Sequence, residues 1–227
     1  MATDPAPPSR WPRRIRGALW TTVLGIGVYV VLDIVAQLLP PHYSPIRQAE
    51  SDLGVGPYGW VMDANFLLRG VLSLAFVYGL YQAWPEKTAA PKVSLALIAG
   101  WGLGAFVLAV SPTDVSGPAT LHGTIHLVAA FLAFFFMAVG GLGVSYSMPD
   151  GGPWRGLRPY ARALAVLTAL ALVVLFVGTG LPRVDHNLFG LLERVFLGLA
   201  LLWMLVVSLY LLRSRLYAAS RPRPVPG

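Results

Sequence analysis

The chain has 227 residues, 56% hydrophobic and 12% charged, with a mean hydropathy of +0.65 and a net charge of +7. Soluble globular chains carry about 25% charged residues, so this balance excludes an ordinary soluble domain and points to lipid as the main solvent. Cysteine is absent, which excludes disulfides, thiolate metal sites and cysteine nucleophiles.

A spanning helix needs roughly 20 mostly apolar residues, and the hydropathy pattern predicts six. The fold class is an all-α polytopic membrane bundle. Residues 1–15 read as a disordered, Pro-rich cytoplasmic N-terminus. Its basic start resembles a signal, but the apolar run is too long and lacks a small-residue cleavage site, so it reads as an uncleaved helix. Helix 1 covers about Arg16–Leu39 and ends at Pro40-Pro41. In the next loop, Ser44-Pro45 resembles an N-cap and N1 pair and Gly54 a stop, predicting a short interfacial helix. Helix 2 covers about Tyr58–Ala83, with Tyr58, Trp60 and Trp84 suited to interfacial belts.

Helix 3 is predicted over about Val93–Val110, where Gly100 and Gly104 suggest close helix packing. Helix 4 is expected over about Leu121–Tyr146, helix 5 over about Ala161–Leu181 and helix 6 over about Leu188–Leu212. One membrane domain, 16–212, is therefore followed by a basic cytoplasmic tail, 213–227.

Orientation follows from the basic residues. Arg10, Arg13, Arg14, Arg16, Lys87, Lys92, Arg155, Arg158, Arg162, Arg213, Arg215, Arg221 and Arg223 all fall on one side, 13 of 17. Only Arg47 and Arg183 occupy loops on the other. The positive-inside rule places both termini in the cytoplasm. The same placement explains the high pI as a topology signal, so nucleic acid is not a partner this charge requires. Arginine outnumbers lysine 15 to 2 and Ala, Gly and Pro abound. This composition suggests a bacterial source with a GC-rich genome, and hence a multi-pass protein of the cytoplasmic (inner) membrane.

The polar residues within this frame mark where chemistry would lie. His42, His122, His126 and His186 fall at or near the predicted outer face. So do Asp33, Glu50, Asp52, Asp63, Asp114, Asp185 and Glu193, seven of ten acids. At 1.5 Å per residue, Asp33, Asp63, His126 and Glu193 lie roughly 7–9 Å below the outer helix ends. Arg69 is deeper. Ionisable groups at such depth face the bundle interior or an aqueous pocket and find partners there. Arg69 is expected to pair with Asp33 or Glu193, with Asn65 one turn away to orient it. A purely structural salt bridge is the alternative.

His122 and His126 stand at i, i+4 on one helical face, a spacing that suits a shared metal, with Asp114, Asp52 or Asp63 as oxygen ligands. Zinc is the expected ion, and a zinc-bound water would supply a hydrolytic nucleophile. The alternative is a pair of interfacial histidines bonded to nearby carboxylates or carbonyls. Ser51-Asp52 reads as part of a cap and turn, and Glu193 and Arg194, adjacent on one helix, are expected to diverge. No P-loop, dinucleotide fingerprint or nucleophile elbow is present.

On these residues the chain resembles a family of prokaryotic membrane proteins, domain of unknown function 998. The matching segments are Ser51-Asp52-Leu53-Gly54, Gly59-Trp60, Asn65 to Gly70, Pro112-Thr113-Asp114, His122-Gly123 with His126, and Gly190 to Arg194. The resemblance implies a multi-helix membrane fold and no established activity. More distantly, Ser51, Asp52 or Asp63, His122 and His126 resemble the Ser, Asp and His set of alkaline-ceramidase and adiponectin-receptor-like membrane hydrolases. That likeness implies a seven-helix bundle with a three-histidine zinc site; this chain departs from it in having six predicted helices and no H-x-x-x-H near its C-terminal helix.

The resulting expectation is an integral membrane protein with an outward-facing pocket for a lipid or amphiphile. Asp63, Asp114 and Glu193 are the candidate catalytic acids. Asp33, Ser51, Asp52, Asp63, Asn65, Arg69, Glu193 and Arg194 form its binding or structural polar layer. The alternatives are a metal-dependent lipid hydrolase, a small transporter and an accessory or assembly subunit of a membrane complex.

Overall fold

Inside a bilayer every backbone polar group must be satisfied within the protein, so apolar runs of this length become helices. The computed structural model describes residues 11–87, 89–152, 154–180 and 188–214. Among them lie six helices long and apolar enough to cross a membrane, and no strand. They are α1 (Arg13–Leu38), α2 (Gly59–Ala83), α3 (Lys92–Val110), α4 (Leu121–Ser147), α5 (Trp154–Gly180) and α6 (Phe189–Arg213). Consecutive helices pack side by side and α6 returns against α1. Of the six, α2 and α6 have the largest share of buried residues in their apolar stretches. Trp20, Leu24, Val31, Ile34 and Leu38 are exposed along α1, as expected of a face turned to lipid.

Helix α5 begins seven residues earlier than the sequence predicts, at Trp154 rather than near Ala161. Pro159, expected in the loop, lies inside the second turn. So close to the start of a helix, proline forfeits only one intrahelical bond. Two buried contacts offset that loss: Leu157 is fully enclosed and Trp154 packs tilted against Trp84 with ring centroids 4.9 Å apart. Helix α1 also starts early, because Trp11 is buried and its indole Nε1 donates to the Leu211 carbonyl at 2.7 Å. Arg10, Arg183, Asp185, His186, Arg215, Arg221 and Arg223 lie outside the described residues.

The core is aromatic. Phe76, Trp101, Phe134, Phe196 and Trp203 are buried and pack edge-on or tilted on one another. Trp203 Nε1 donates to Ser145 Oγ at 3.0 Å, and that hydroxyl donates on to the Ala161 carbonyl at 3.2 Å. Helices α3 and α4 approach closely through small residues: a Cβ on Gly104 would lie 2.9 Å from that of Ala133.

The two ends of the bundle differ. One end carries the start of α1, the end of α6 and the α2–α3 and α4–α5 connections, with Lys87, Lys92, Arg155, Arg158 and Arg162. At the other, the acidic end, lie Asp33, Glu50, Asp52, Asp63, Asp114 and Glu193.

Candidate functional site

The α1–α2 connection builds the acidic end. Ser44–Gln48 form a turn, closed by Gln48 N–H donating to the Ser44 carbonyl at 2.9 Å. Glu50–Gly54 then form a single 3₁₀ helix. The short helix expected from Ser44 to Gly54 is thus split in two. A tertiary bond accounts for the break: the Glu50 backbone N–H, instead of continuing a helix, donates to Glu193 Oε2 of α6 at 2.6 Å.

Arg194 secures the same segment. Its Nη1 donates to the carbonyls of Pro45 and Gln48 at 3.1 and 3.2 Å, and Nη2 donates to the Tyr43 hydroxyl at 2.6 Å. Leu191 N–H adds a bond to the Ile46 carbonyl at 3.0 Å. Glu193 and Arg194 therefore diverge: one turns inward beneath the 3₁₀ helix, the other outward over the loop.

Beneath the 3₁₀ helix is a small chamber of about 20 Å³ lined by Glu50, Ser51, Phe66, Arg69, Leu108, His126, Ala130, Phe134 and Glu193. That volume admits a group of about one to two waters in size. The fold thus gathers His126, Arg69, Glu193 and Ser51 at one place, drawn from four separate parts of the chain. Asp33 adjoins the cluster through the Glu50 carboxyl, and Gln37 Nε2 donates to Asp33 Oδ2 at 2.6 Å. Asp33 Oδ1 is buried and receives no donor, so a proton on either acid would supply the missing bond.

Glu50 is the member of the cluster that sequence reasoning leaves among the ordinary loop acids. It is almost fully buried, and its Oε1 accepts from the Tyr29 hydroxyl at 2.6 Å. Burial first, and then the negative charge of Asp33, push its carboxyl up to about 8. Arg69 and the Tyr29 hydrogen bond oppose that rise. Nothing in a loop glutamate's local sequence signals such burial.

Arg69 makes no ion pair with Asp33 or Glu193, contrary to expectation. Its guanidinium lies between the Trp101 and Phe66 rings, 4.5 and 5.1 Å from their centroids. The Nε and Nη2 hydrogens have no partner. Glu193 is engaged by the Glu50 backbone and Asp33 by Gln37, which draws both acids away from it. Asn65 does not orient Arg69 either; its Nδ2 donates to the Tyr29 carbonyl at 3.2 Å.

The predicted zinc ligands are dispersed. His122 is exposed, while His126 is buried with Nδ1 2.6 Å from the Ser111 carbonyl. A carbonyl only accepts, so Nδ1 carries the proton. Both Asp114 oxygens take bonds from Thr120, one from its N–H and one from its hydroxyl, each at 2.8 Å. Those bonds hold the Asp114 carboxyl below its usual range and brace the N-cap of α4. Among the described residues no three His, Asp or Glu side chains gather into a metal site. His122, His126 and Asp114 thus offer no shared coordination sphere for zinc. Asp63 is half-buried beside Gly54 and does not line the chamber.

A second cavity, of about 190 Å³, lies on the other side of the 3₁₀ helix. Asp52, Gln48, Tyr43 and His42 give it polar walls, and Ala36, Leu39, Leu53, Val55 and Val115 apolar ones. Residues 48–53 form the partition between this vestibule and the chamber.

Six apolar spans around a buried cluster of ionisable groups define a multi-pass integral membrane protein. The chain belongs to the family described as protein of unknown function, DUF998, whose model matches residues 23–210. No curated protein and no solved structure matches it.

Proposed function

We propose that the acidic end faces the outside of a bacterial cytoplasmic membrane and that its vestibule holds the polar end of a lipid or amphiphile. The observation that carries this reading is the mixed lining of the vestibule at the mouth of α1. Ala36 and Leu39 form part of its wall, while Ile34, Val35 and Leu38 of the same turns are exposed. A polar head placed beside Gln48 and Asp52 leaves its chain free to lie along the apolar surface of α1, in the layer where lipid headgroups meet hydrocarbon.

Val115 is an exposed loop residue at the vestibule wall. Val115→Trp should fill the cavity without disturbing any helix and lower the bound lipid several-fold, read by native mass spectrometry of protein purified in mild detergent. Equal lipid retention by the variant would reject the vestibule as the binding site.

The orientation has its own test, made simple by the absence of native cysteine. Ser116→Cys, in the α3–α4 connection, should react with a membrane-impermeant maleimide on intact cells. Glu86→Cys, in the α2–α3 connection, should react only after permeabilisation. The reverse pattern would invert the bundle.

A further inference from the structure

Arg69 is only 1% exposed, yet two of its N–H groups are without a partner. Nε–H and the neighbouring Nη2–H run parallel along one edge of the guanidinium. That edge is the fork that meets both oxygens of a carboxylate. Trp101 and Phe66 hold the plane in place, so the fork is pre-oriented rather than freely rotating. Arg69 also lines the chamber, beside Ser51, Glu50 and Glu193. A buried cation kept only for helix packing would be expected to meet a carboxylate directly; here three acids stand near and none takes the fork.

We propose that Arg69 and the chamber form a receptor for a small monovalent oxyanion of the carboxylate class, bound two-pronged on the Nε–Nη2 edge and accompanied by a proton on the facing acids. The site is separate from the vestibule and does not depend on what the vestibule holds.

Charge sets the proton requirement. Glu50 is faced by Tyr29 and Asp33 of α1, by Arg69 of α2, and by Glu193 of α6, with Arg194 acting from the same helix; His126 of α4 shares the chamber. Helix α3 contributes Leu108 to the lining and no titratable group. With Asp33, Glu50 and Glu193 all ionised, the acids outnumber Arg69 and Arg194, and an incoming anion is repelled. Each proton taken up weakens that repulsion and supplies an O–H donor for the bound oxygen. Because burial raises the Glu50 carboxyl to about 8, the proton is present below that pH and lost above it. Anion affinity should therefore be flat below about pH 8 with respect to Glu50 and fall about tenfold per pH unit above it. A dianion such as phosphate is disfavoured by the same charge count.

Titration calorimetry on the full-length protein in detergent, with formate, octanoate and phosphate as probes, tests the site. Saturable formate binding is expected in the native chain, with phosphate at least tenfold weaker. Arg69→Lys retains the charge but lacks the fork, and should lose at least tenfold in affinity; Arg69→Gln should abolish binding. Glu50→Gln should keep binding and lose the slope above about pH 8. Octanoate, whose chain a chamber of about 20 Å³ cannot enclose, should bind more weakly than formate in Val115→Trp, where the vestibule is filled. No saturable formate binding, native-like affinity in Arg69→Lys, tighter phosphate binding, or octanoate bound more tightly than formate in Val115→Trp would overturn the proposal. A native pH slope in Glu50→Gln would exclude Glu50 as the acid that carries the proton. Val115→Trp should leave formate binding unchanged, so loss of lipid at the vestibule and loss of anion at Arg69 are read separately.

Discussion

Glu193→Ala should destabilise the protein by about 3 kcal/mol, whereas Glu193→Gln should cost about 1 kcal/mol or less. The difference lies in one bond. Glu193 Oε2 accepts from the buried Glu50 N–H at 2.6 Å, and no other acceptor is in place for that donor. Alanine removes the acceptor, leaves the N–H desolvated and unpaired, and enlarges the chamber. Glutamine retains an oxygen in the same position. The loss should appear first as faster amide hydrogen exchange over residues 44–54, because this bond ties the 3₁₀ helix to α6, and only then as a lower unfolding temperature. Equal stability of the two variants would mean that the Glu50–Glu193 bond does not hold the segment.

Two glycines of α6 should respond to the same substitution with opposite sign. A Cβ on Gly190 would overlap the Gln48 carbonyl oxygen and lie 2.7 Å from that of Pro45. Both obstacles are backbone, so neither can rotate away. Gly190→Ala should therefore push the α1–α2 loop off α6, breaking the Leu191–Ile46 bond and costing about 2–3 kcal/mol. A Cβ on Gly198, two turns further along, would meet nothing within 4 Å, and Gly198→Ala should stabilise α6 by up to about 1 kcal/mol. Thermal unfolding of the two variants, run in parallel, reads the contrast. Destabilisation by both would point to a constraint on α6 other than loop packing.

These effects centre on a segment whose importance local sequence barely signals. Glu50 stands among Asp52 and other polar loop residues, and no periodicity separates it from them. It becomes special because α6 clamps Pro45, Ile46 and Gln48, which drives Glu50 under the loop toward Tyr29 and Asp33. Arg69 shows the complementary case. Its depth in an apolar helix marks it as inward-facing, and it is buried. Its partner escapes a sequence reading because hydrogen-bond competition is decided by distance in space: Asp33 and Glu193 are taken by Gln37 and by a backbone N–H. Likewise His122 and His126 share a sequence spacing but not an environment, since one turn of α4 carries the chain from an exposed end into the packed bundle.

The six spans were legible because apolar runs of this length have one dominant solution in lipid, a helix with its backbone bonds satisfied internally. Their positions depend on each segment alone. Sequence by itself also determined the uneven split of charge, with basic residues gathered at one end and acids at the other. The early start of α5 escaped it because the cost of Pro159 is local, while the burial of Trp154 and Leu157 that offsets it is tertiary. Only the tertiary structure decided which acids meet, which cation is left with an open fork, and that a 3₁₀ helix divides vestibule from chamber. Those features arise from contacts between residues far apart in the chain, such as Glu50 with Glu193, 143 positions away, and Tyr43 with Arg194, 151 positions away, whose energies exist only once the helices have packed.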